Sequence, residues 1–161
     1  MNELIILTAK YVFLISVSVY VIYGIILWKK NKKKLKQYLF LSVISFPLTL
    51  VIAKLSGLVI HDPRPFVVEH VKPLIAHAAD NGFPSDHTLL TMAIASIVFV
   101  YNKKLGIVLF TIASLIGTAR VLAQIHHPLD IIGATVIAIG TTTIVFFIEK
   151  RYFHKVLKGK E

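Results

Sequence analysis

Five apolar runs, separated by short polar segments, dominate the hydrophobic pattern of the chain. They cover residues 4–28, 38–60, 85–101, 105–124 and 128–148. Four of them reach the ~20 residues that a helix needs to cross the hydrocarbon core of a bilayer, whereas the run at 85–101 is shorter. The stretch 61–82 is too polar to span. The pattern predicts five membrane helices, with the polar start of the third below the surface in a wet cavity.

The composition also indicates an integral membrane protein. Of the 161 residues, 56% are hydrophobic and 16% are charged, and the mean hydropathy is +0.75. The chain has no cysteine, which excludes a disulfide framework and a thiolate metal site. A net charge of +10 would suit nucleic acid, but the basic residues form short blocks between apolar runs. This arrangement favours a membrane surface as partner and argues against nucleic acid.

The basic blocks predict the orientation of the chain. Most of residues 29–36 are lysines. Lys103 and Lys104 follow the third run, and further basic residues follow the fifth. If each run crosses once, all three blocks lie on one side, which the positive-inside rule assigns to the cytoplasm. We therefore expect a multi-pass protein of the cell membrane (plasma or inner). Its N-terminus and its polar clusters would face the extracytoplasmic side.

Three polar clusters stand at the ends of apolar runs on that predicted outer side. They read HDPRPF at 61–66, FPSDHT at 83–88 and RVLAQIHHPLD at 120–130. The guanidinium groups of Arg64 and Arg120 offer two parallel N–H donors that match the oxygens of a phosphate. Together the clusters predict a phosphate-handling site.

Helix starts add to this prediction. Ser85 can serve as the N-cap of the third helix, whose unpaired first-turn N–H groups favour an anion. Pro128, a favoured first helical residue, places Asp130 in the first turn of the fifth helix. The Asp130 carboxylate, four residues after His126, can reach one imidazole nitrogen and raise the basicity of the other. A neutral His126 oriented in this way is a competent nucleophile toward phosphorus.

Two other interpretations of these residues stay open at this point. A cluster of histidine and aspartate can bind zinc, but neither H-x-x-x-H nor H-x-x-E-H occurs in the chain. Arg64 and Arg120 would also oppose a cation, so no metal is expected. His127, next to His126, fits a local structural role as well as a catalytic one.

The three clusters resemble the signature of the type 2 phosphatidic acid phosphatase (PAP2) superfamily, K-x6-R-P, P-S-G-H and S-R-x5-H-x3-D. The resemblance covers residues 54–130 and the apolar runs around them. It implies that His126 forms a phosphohistidine and that Asp130 orients it. It further implies that His87 acts first as general acid and then as general base. The implied phosphate cradle consists of Arg64, Ser85 and Arg120, and the family needs neither metal nor cofactor.

The chain departs from this signature at three positions. Gly57 stands where the first motif has lysine, and the nearest lysine, Lys54, lies on a different part of the helix circumference. Lys54 is therefore a secondary candidate, which points to the membrane edge or contacts a second phosphate. Ala119 replaces the serine of the third motif. Asp86 replaces the glycine of P-S-G-H, and with the loop 74–88 this form resembles the bacitracin-resistance branch of undecaprenyl-diphosphate phosphatases.

Pattern and resemblance together predict an all-α integral membrane protein. We expect one domain, 1–161, that forms a compact bundle of about five transmembrane helices with a short interfacial helix near 68–79. Four small residues on the fifth run would allow close helix packing. They are Gly133, Ala134, Ala138 and Gly140.

The resemblance implies hydrolysis of undecaprenyl diphosphate to the monophosphate, which recycles the lipid carrier of cell-wall synthesis. Lys54 and Lys72 would then hold the second phosphate. The alternative is a PAP2-type phosphatase for phosphatidylglycerophosphate, phosphatidic acid or lipid A. A lipid-binding relative and a transporter are the alternatives outside enzymes. The intact motif residues argue against the first, and the clustering of ionisable groups at one face argues against the second.

Overall fold

The computed structural model describes residues 1–158, with side chains described to residue 151. Seven helices make up this part of the chain. They are α1 (Asn2–Tyr11), α2 (Phe13–Lys30), α3 (Lys32–Val59), α4 (Pro65–Val68), α5 (Asp86–Tyr101), α6 (Lys103–Leu122) and α7 (Pro128–Lys158). The predicted all-α fold is confirmed. Of the basic residues expected in the C-terminal tail, Lys155, Lys158 and Lys160 fall outside the described side chains.

Four segments among the described residues are long and apolar enough to cross a membrane. They are Asn2–Lys30, which joins α1 and α2, and then Lys32–Val59, Lys103–Leu122 and Pro128–Arg151. The fifth apolar helix, α5, has 16 residues and is therefore only about 24 Å long, against about 30 Å of hydrocarbon. The five apolar runs thus correspond to four full-length spans and one shorter helix.

The short helix α5 forms the centre of the bundle. It contacts α2, α3, α6 and α7, and most of its residues between Thr88 and Val98 are buried. A helix that is surrounded by neighbouring helices and by lipid has no need of a polar face, which is consistent with the mostly apolar sequence of α5. Because α5 is fixed by four neighbours, its first turn provides a rigid platform for the residues at its start.

Two kinds of connection lie at opposite ends of the bundle. At one end, tight turns join α2 to α3 and α5 to α6. Asn31 there accepts a hydrogen bond from Lys34 N at 2.9 Å, and Asn102 accepts one from Leu105 N at 3.1 Å, so each asparagine caps the helix that follows it. At the other end lie the long α3–α5 segment and the α6–α7 connection. These two connections carry all three polar clusters.

The single turn α4 occurs earlier in the sequence than the predicted interfacial helix. It spans Pro65–Val68, and residues 69–79 are not helical, although the sequence predicts a helix near 68–79. Pro65 favours the first helical position. His70 has a φ of 53°, which is incompatible with a continuing right-handed helix, and Pro73 lacks the N–H that a helix would need. The segment after α4 is therefore an irregular loop.

The small residues of α7 pack less uniformly than expected. Ala134 and Ala138 are fully buried in the core, in agreement with the prediction. Gly133 lies against the ring of Phe83, where a Cβ atom would collide with it. Gly140 has no neighbour within 4 Å of the position a Cβ would take. The prediction of close packing at Gly140 is therefore wrong, because this face of α7 has no partner there.

Candidate functional site

A buried histidine and a buried carboxylate form the centre of the polar end. His126 precedes α7, and its Nδ1 lies 3.0 Å from Asp130 Oδ2. The same oxygen accepts a hydrogen bond from the backbone N–H of His127 at 2.9 Å. Asp130 is fully buried and His126 is 2% exposed. The contact predicted from the four-residue spacing is present, and a proton on Nδ1 that is donated to Asp130 leaves the lone pair on Nε2.

Two arginines converge on the other nitrogen of this histidine. Arg64 Nη1 lies 3.3 Å from His126 Nε2, and Arg120 Nη2 lies 3.2 Å from it. Both arginines are buried, with 5% and 4% of their surface exposed. Arg64 is the residue immediately before α4, and Arg120 lies in the last turn of α6. An anionic group next to Nε2 would therefore meet two guanidinium groups at once.

Carbonyl and carboxylate oxygens hold each arginine in place. Arg64 Nε donates to Asp80 Oδ1 and its Nη1 donates to the carbonyl of Ile125, both at 2.7 Å. Arg120 Nη1 donates to the carbonyl of Ala9 in α1 at 3.1 Å. The two guanidinium groups are thus fixed before any ligand binds, which limits the reorganisation that binding requires.

The surroundings of His126 favour its neutral form. Burial lowers its pKa below the ordinary 6.5, since a charged imidazole loses its hydration. The positive charges of Arg120 and Arg64 lower the pKa further, against the opposing effect of Asp130. His126 is therefore an unprotonated nitrogen base near neutral pH.

A second carboxyl group, Asp62, lies close to Asp130. Gly82 N donates to the Asp62 carbonyl at 2.8 Å, and a Cβ on Gly82 would lie only 2.9 Å from Asp130 Oδ2. Glycine is required at this crossing of two segments. Burial raises the pKa of Asp62, and the negative charge of Asp130 raises it further. His127 Nε2 lies 3.1 Å from the Pro63 carbonyl, in keeping with a local structural role.

His126 lines a cavity of about 540 Å³. Its apolar wall includes Leu50, Ala53 and Leu58 of α3. Three cationic side chains (Lys54, Arg64 and Arg120) and three imidazoles (His77, His87 and His126) form most of its polar wall, together with Asn81 and the carboxylates of Asp80 and Asp86. The cavity therefore combines a cationic end with an apolar side.

Ser85 differs from the prediction made for it. It occupies the N-cap position of α5, but its side chain makes no capping hydrogen bond. Ser85 is fully buried, its Oγ accepts a hydrogen bond from Thr88 Oγ1 at 3.2 Å, and its backbone N donates to the Asp130 carbonyl. Its neighbours Pro84, Asp86 and His87 line the cavity instead. The prediction of a capping bond is wrong, because the Ser85 hydroxyl contacts the Thr88 hydroxyl and no first-turn amide.

Lys54, Lys72 and the predicted acid–base residue His87 differ in whether they line the cavity. Lys54 lines the cavity despite its departure from the motif spacing. Lys72 is exposed and is not among the residues that line it. His87 is half-buried, and the ring of Phe13 in α2 packs edge-on against it at 5.0 Å. Lys54 and His87 can thus contact the same bound molecule, and Lys72 cannot do so from this position.

Sequence reasoning missed one histidine of the cavity. The ring centre of His77 lies 6.4 Å from that of His126, and the two planes are 75° apart. Burial lowers the pKa of His77, and the charges of Arg64 and Arg120 add to this effect. His77 lies outside the three polar clusters, in the loop 69–85. Its closeness in sequence to the P-S-D-H cluster was the one available signal.

Comparison with known proteins gives matches over most of the chain. The model of the PAP2 superfamily matches residues 36–153. Undecaprenyl-diphosphatase BcrC of Bacillus subtilis is 36% identical over 124 residues, which are 77% of this chain and 64% of that protein. Bacitracin transport permease protein BcrC of Bacillus licheniformis is 28% identical over 136 residues, 83% of this chain and 67% of that protein. The chain thus spans about two thirds of the length of these relatives.

The fold as a whole is also similar to that of solved structures. The crystal structure of Aquifex aeolicus LpxE superposes with a TM-score of 0.71 and 26% sequence identity. The match covers 91% of this chain and 87% of that one. The likeness therefore extends over most of the described helices.

Proposed function

The chain belongs to the PAP2 superfamily of phosphatases, and we propose that it hydrolyses undecaprenyl diphosphate to undecaprenyl phosphate on the outer face of the membrane. One observation carries the proposal. Two buried guanidinium groups lie within 3.3 Å of the free nitrogen of a buried histidine, whose other nitrogen contacts a carboxylate. This arrangement suits attack on a phosphorus atom whose oxygens carry negative charge.

In the first step His126 attacks the terminal phosphorus. A bond forms between Nε2 and phosphorus, and the bond from phosphorus to the bridging oxygen breaks, with its electron pair staying on that oxygen. Arg64 and Arg120 neutralise the charge on the phosphoryl oxygens of the transition state. Asp130 stabilises the positive imidazole ring as it forms. The products of this step are a phosphohistidine and undecaprenyl phosphate.

In the second step water releases the phosphate. His87, in the first turn of α5, protonates the leaving oxygen in the first step and is then ready to accept a proton. It takes that proton from the water that attacks the phosphohistidine. The bond between nitrogen and phosphorus breaks, inorganic phosphate leaves, and neutral His126 is regenerated. No metal ion takes part in the proposed scheme.

The nature of the cavity supports a lipid substrate. Its apolar wall, contributed by α3, adjoins the cationic end, so a bilayer lipid can place its headgroup beside His126 while its chain stays in an apolar environment. The lipid chain thereby avoids contact with water, which would cost about 0.8 kcal/mol for each exposed methylene group. The sequence Pro84-Ser85-Asp86-His87 and the relative named as an undecaprenyl-diphosphatase also support this substrate.

The position of the basic residues supports an outward-facing site. The cavity lies at the end of the bundle formed by the α3–α5 and α6–α7 connections. The lysines of residues 29–36, together with Lys103 and Lys104, lie at the tight turns of the opposite end. Placing these lysines in the cytoplasm puts the cavity at the extracytoplasmic surface.

Another lipid and a transported peptide are the competing candidates. A phosphatase for phosphatidylglycerophosphate, phosphatidic acid or lipid A would use the same cationic end with a different headgroup. One relative is named a bacitracin transport permease, and this name favours a transporter as the second function to test. A transporter of bacitracin would move the peptide without releasing phosphate from a lipid.

Steady-state kinetics on purified protein in detergent separate these candidates. We expect phosphate release from undecaprenyl diphosphate with a higher kcat/KM than from phosphatidic acid or phosphatidylglycerophosphate, and no release by the His126→Ala variant. A preference for a glycerolipid monophosphate would reject the substrate and keep the phosphatase. If no lipid phosphate is hydrolysed and bacitracin crosses the membrane of reconstituted vesicles, the phosphatase itself is rejected.

A further inference from the structure

The loop that carries His77 is held at both ends. At its start, Leu74 N donates to the Ala123 carbonyl, and Ile75 is buried with Ile125 in one hydrophobic cluster. At its end, Asp80 accepts the hydrogen bond from Arg64 Nε at 2.7 Å. The backbone between these anchors is therefore fixed to the elements that carry His126 and Arg64.

Asn81 adds the strongest attachment of this loop. Its side-chain N–H groups donate to the carbonyls of Gly57 and Ile60 at 2.8 and 3.0 Å. Its side-chain oxygen accepts from the backbone N–H groups of Asp62 and Phe83 at 2.9 and 3.1 Å. One side chain thus ties the loop to the end of α3, which carries Lys54 three residues before Gly57.

Between its anchors the loop presents a single functional side chain. Residues 76–79 read Ala-His-Ala-Ala, so His77 is the one residue there that can hydrogen-bond a ligand through its side chain. Its ring lines the cavity of His126 and Lys54. A loop held this firmly, which directs one imidazole into a cationic cavity, has the features of a binding element.

The two arginines leave His77 and Lys54 available for a different group. Arg64 and Arg120 both approach His126 Nε2, so their N–H groups serve the phosphoryl group that His126 attacks. His77 and Lys54 contribute other parts of the wall. We propose that His77 and Lys54 form a subsite for the second phosphate of a lipid diphosphate, the phosphate that leaves with the lipid. This assignment rests on the proposed function and names the residues that select a diphosphate.

The chemistry of the leaving group explains why such a subsite would matter. When His126 attacks the terminal phosphorus, the departing bridging oxygen becomes an oxygen of a phosphate monoester, which gains one unit of negative charge. The second pKa of such a group is about 6, so negative charge builds up on this phosphate while His87 transfers its proton to the bridging oxygen, and stabilising that charge lowers the barrier. A hydrogen bond from the neutral imidazole of His77 and the ammonium group of Lys54 supply that stabilisation. A monophosphate ester has no second phosphate and cannot use it.

The test compares two substrates across three variants. The kcat/KM for undecaprenyl diphosphate and for a lipid monophosphate is measured with purified His77→Ala, His77→Gln and Lys54→Met. His61→Gln is the matched control, because His61 is an exposed histidine of the same end that does not line the cavity. Thermal unfolding of each variant verifies that it is folded.

We expect His77→Ala to lower kcat/KM for the diphosphate by about 10- to 100-fold, because one hydrogen bond to a charged group is lost. The same change should alter kcat/KM for the monophosphate less than threefold. Glutamine, whose amide N–H can replace the imidazole donor, should restore most of this loss. Equal losses on both substrates, or none on the diphosphate, would overturn the subsite. A wild-type protein that prefers monophosphates would instead reject the proposed substrate, whatever the variants show.

Discussion

At the scale of single residues, the proposed chemistry depends on a chain of contacts from a carboxylate to a phosphate site. Asp130 contacts one nitrogen of His126, and the arginines approach the other. The carboxylate therefore determines which nitrogen carries the lone pair, and the arginines determine where an anion can bind. The roles of the carboxylate and of the arginines can be tested by substitutions that keep the fold.

The carboxylate of Asp130 is tested by the isosteric change Asp130→Asn. The amide nitrogen can donate to Nδ1 and thereby favour the tautomer with the proton on Nε2, where it blocks attack. We expect kcat for undecaprenyl diphosphate to fall by about 10²–10⁴-fold, while the unfolding temperature changes little. Turnover within threefold of the wild type would show that Asp130 does not orient the nucleophile.

The pKa of His126 gives an independent prediction. Burial lowers it below 6.5, and the arginine charges lower it further. Because a lowered pKa keeps the ring neutral as the pH falls through 6.5, the reactive form should persist in mildly acidic solution. A pH titration of the ring by ¹⁵N NMR, with the signal assigned through His126→Ala, should find the midpoint below 6.5. A midpoint at or above 6.5 would contradict the electrostatic account.

Sequence reasoning worked at this scale where partners are close along the chain. The contact between His126 and Asp130 was predictable because they are four positions apart in the sequence and α7 begins between them. The bond from Arg120 to the Ala9 carbonyl joins residues 111 positions apart. Nothing in the local pattern indicates it. His77 was missed for a related reason, since an irregular loop has no periodicity from which a direction could be inferred.

At the scale of helices and loops, the approach of α5 and α6 depends on one glycine. A Cβ on Gly106, in the first turns of α6, would collide with the backbone of Phe99 near the end of α5. Backbone atoms cannot move aside as a flexible side chain can. The tight turn between these helices therefore requires glycine at this position.

The requirement for Gly106 is tested by its change to alanine. We expect Gly106→Ala to lower the unfolding temperature in detergent, because α5 and α6 must separate. Gly140→Ala is the matched control, since nothing lies within 4 Å of its Cβ position and alanine favours a helix by about 1 kcal/mol. The control should be neutral or stabilising. Equal effects of the two changes would show that α5 and α6 do not pack as closely as described.

Prediction of elements succeeded for long apolar runs and failed for the loop 69–79. Each of the five runs is helical, the first of them as α1 followed by α2, because a chain that crosses a bilayer must satisfy its backbone hydrogen bonds internally. The expected helix near 68–79 is absent, since His70 and Pro73 interrupt it and the loop is fixed instead by Asn81. Such a loop follows from tertiary hydrogen bonds, which local sequence does not indicate.

At the scale of the whole molecule, the charge pattern and the position of the cavity predict one topology. The chain contains no cysteine, so single cysteines can be introduced without background. In intact cells, an impermeant thiol reagent should label Glu69→Cys and leave Lys33→Cys unlabelled until the membrane is permeabilised. Labelling of Lys33→Cys alone in intact cells would place the cavity in the cytoplasm.

The overall bundle was foreseeable and its internal contacts were not. Length and hydropathy of the runs indicated the five apolar helical segments, and the basic blocks indicated which ends lie together. The four neighbours of α5 were not predictable, because membrane helices pack through shape complementarity that depends on all helices together.

The central claim, catalysis through a phosphohistidine at His126, is tested most directly by trapping the intermediate. Purified protein is mixed with undecaprenyl diphosphate that is radioactive in its terminal phosphate, and the reaction is stopped during turnover. We expect an alkali-stable, acid-labile label that maps to His126, persists in the presence of a metal chelator and is absent from His126→Ala. A label on another residue, or full turnover by His126→Ala, would contradict the proposed mechanism.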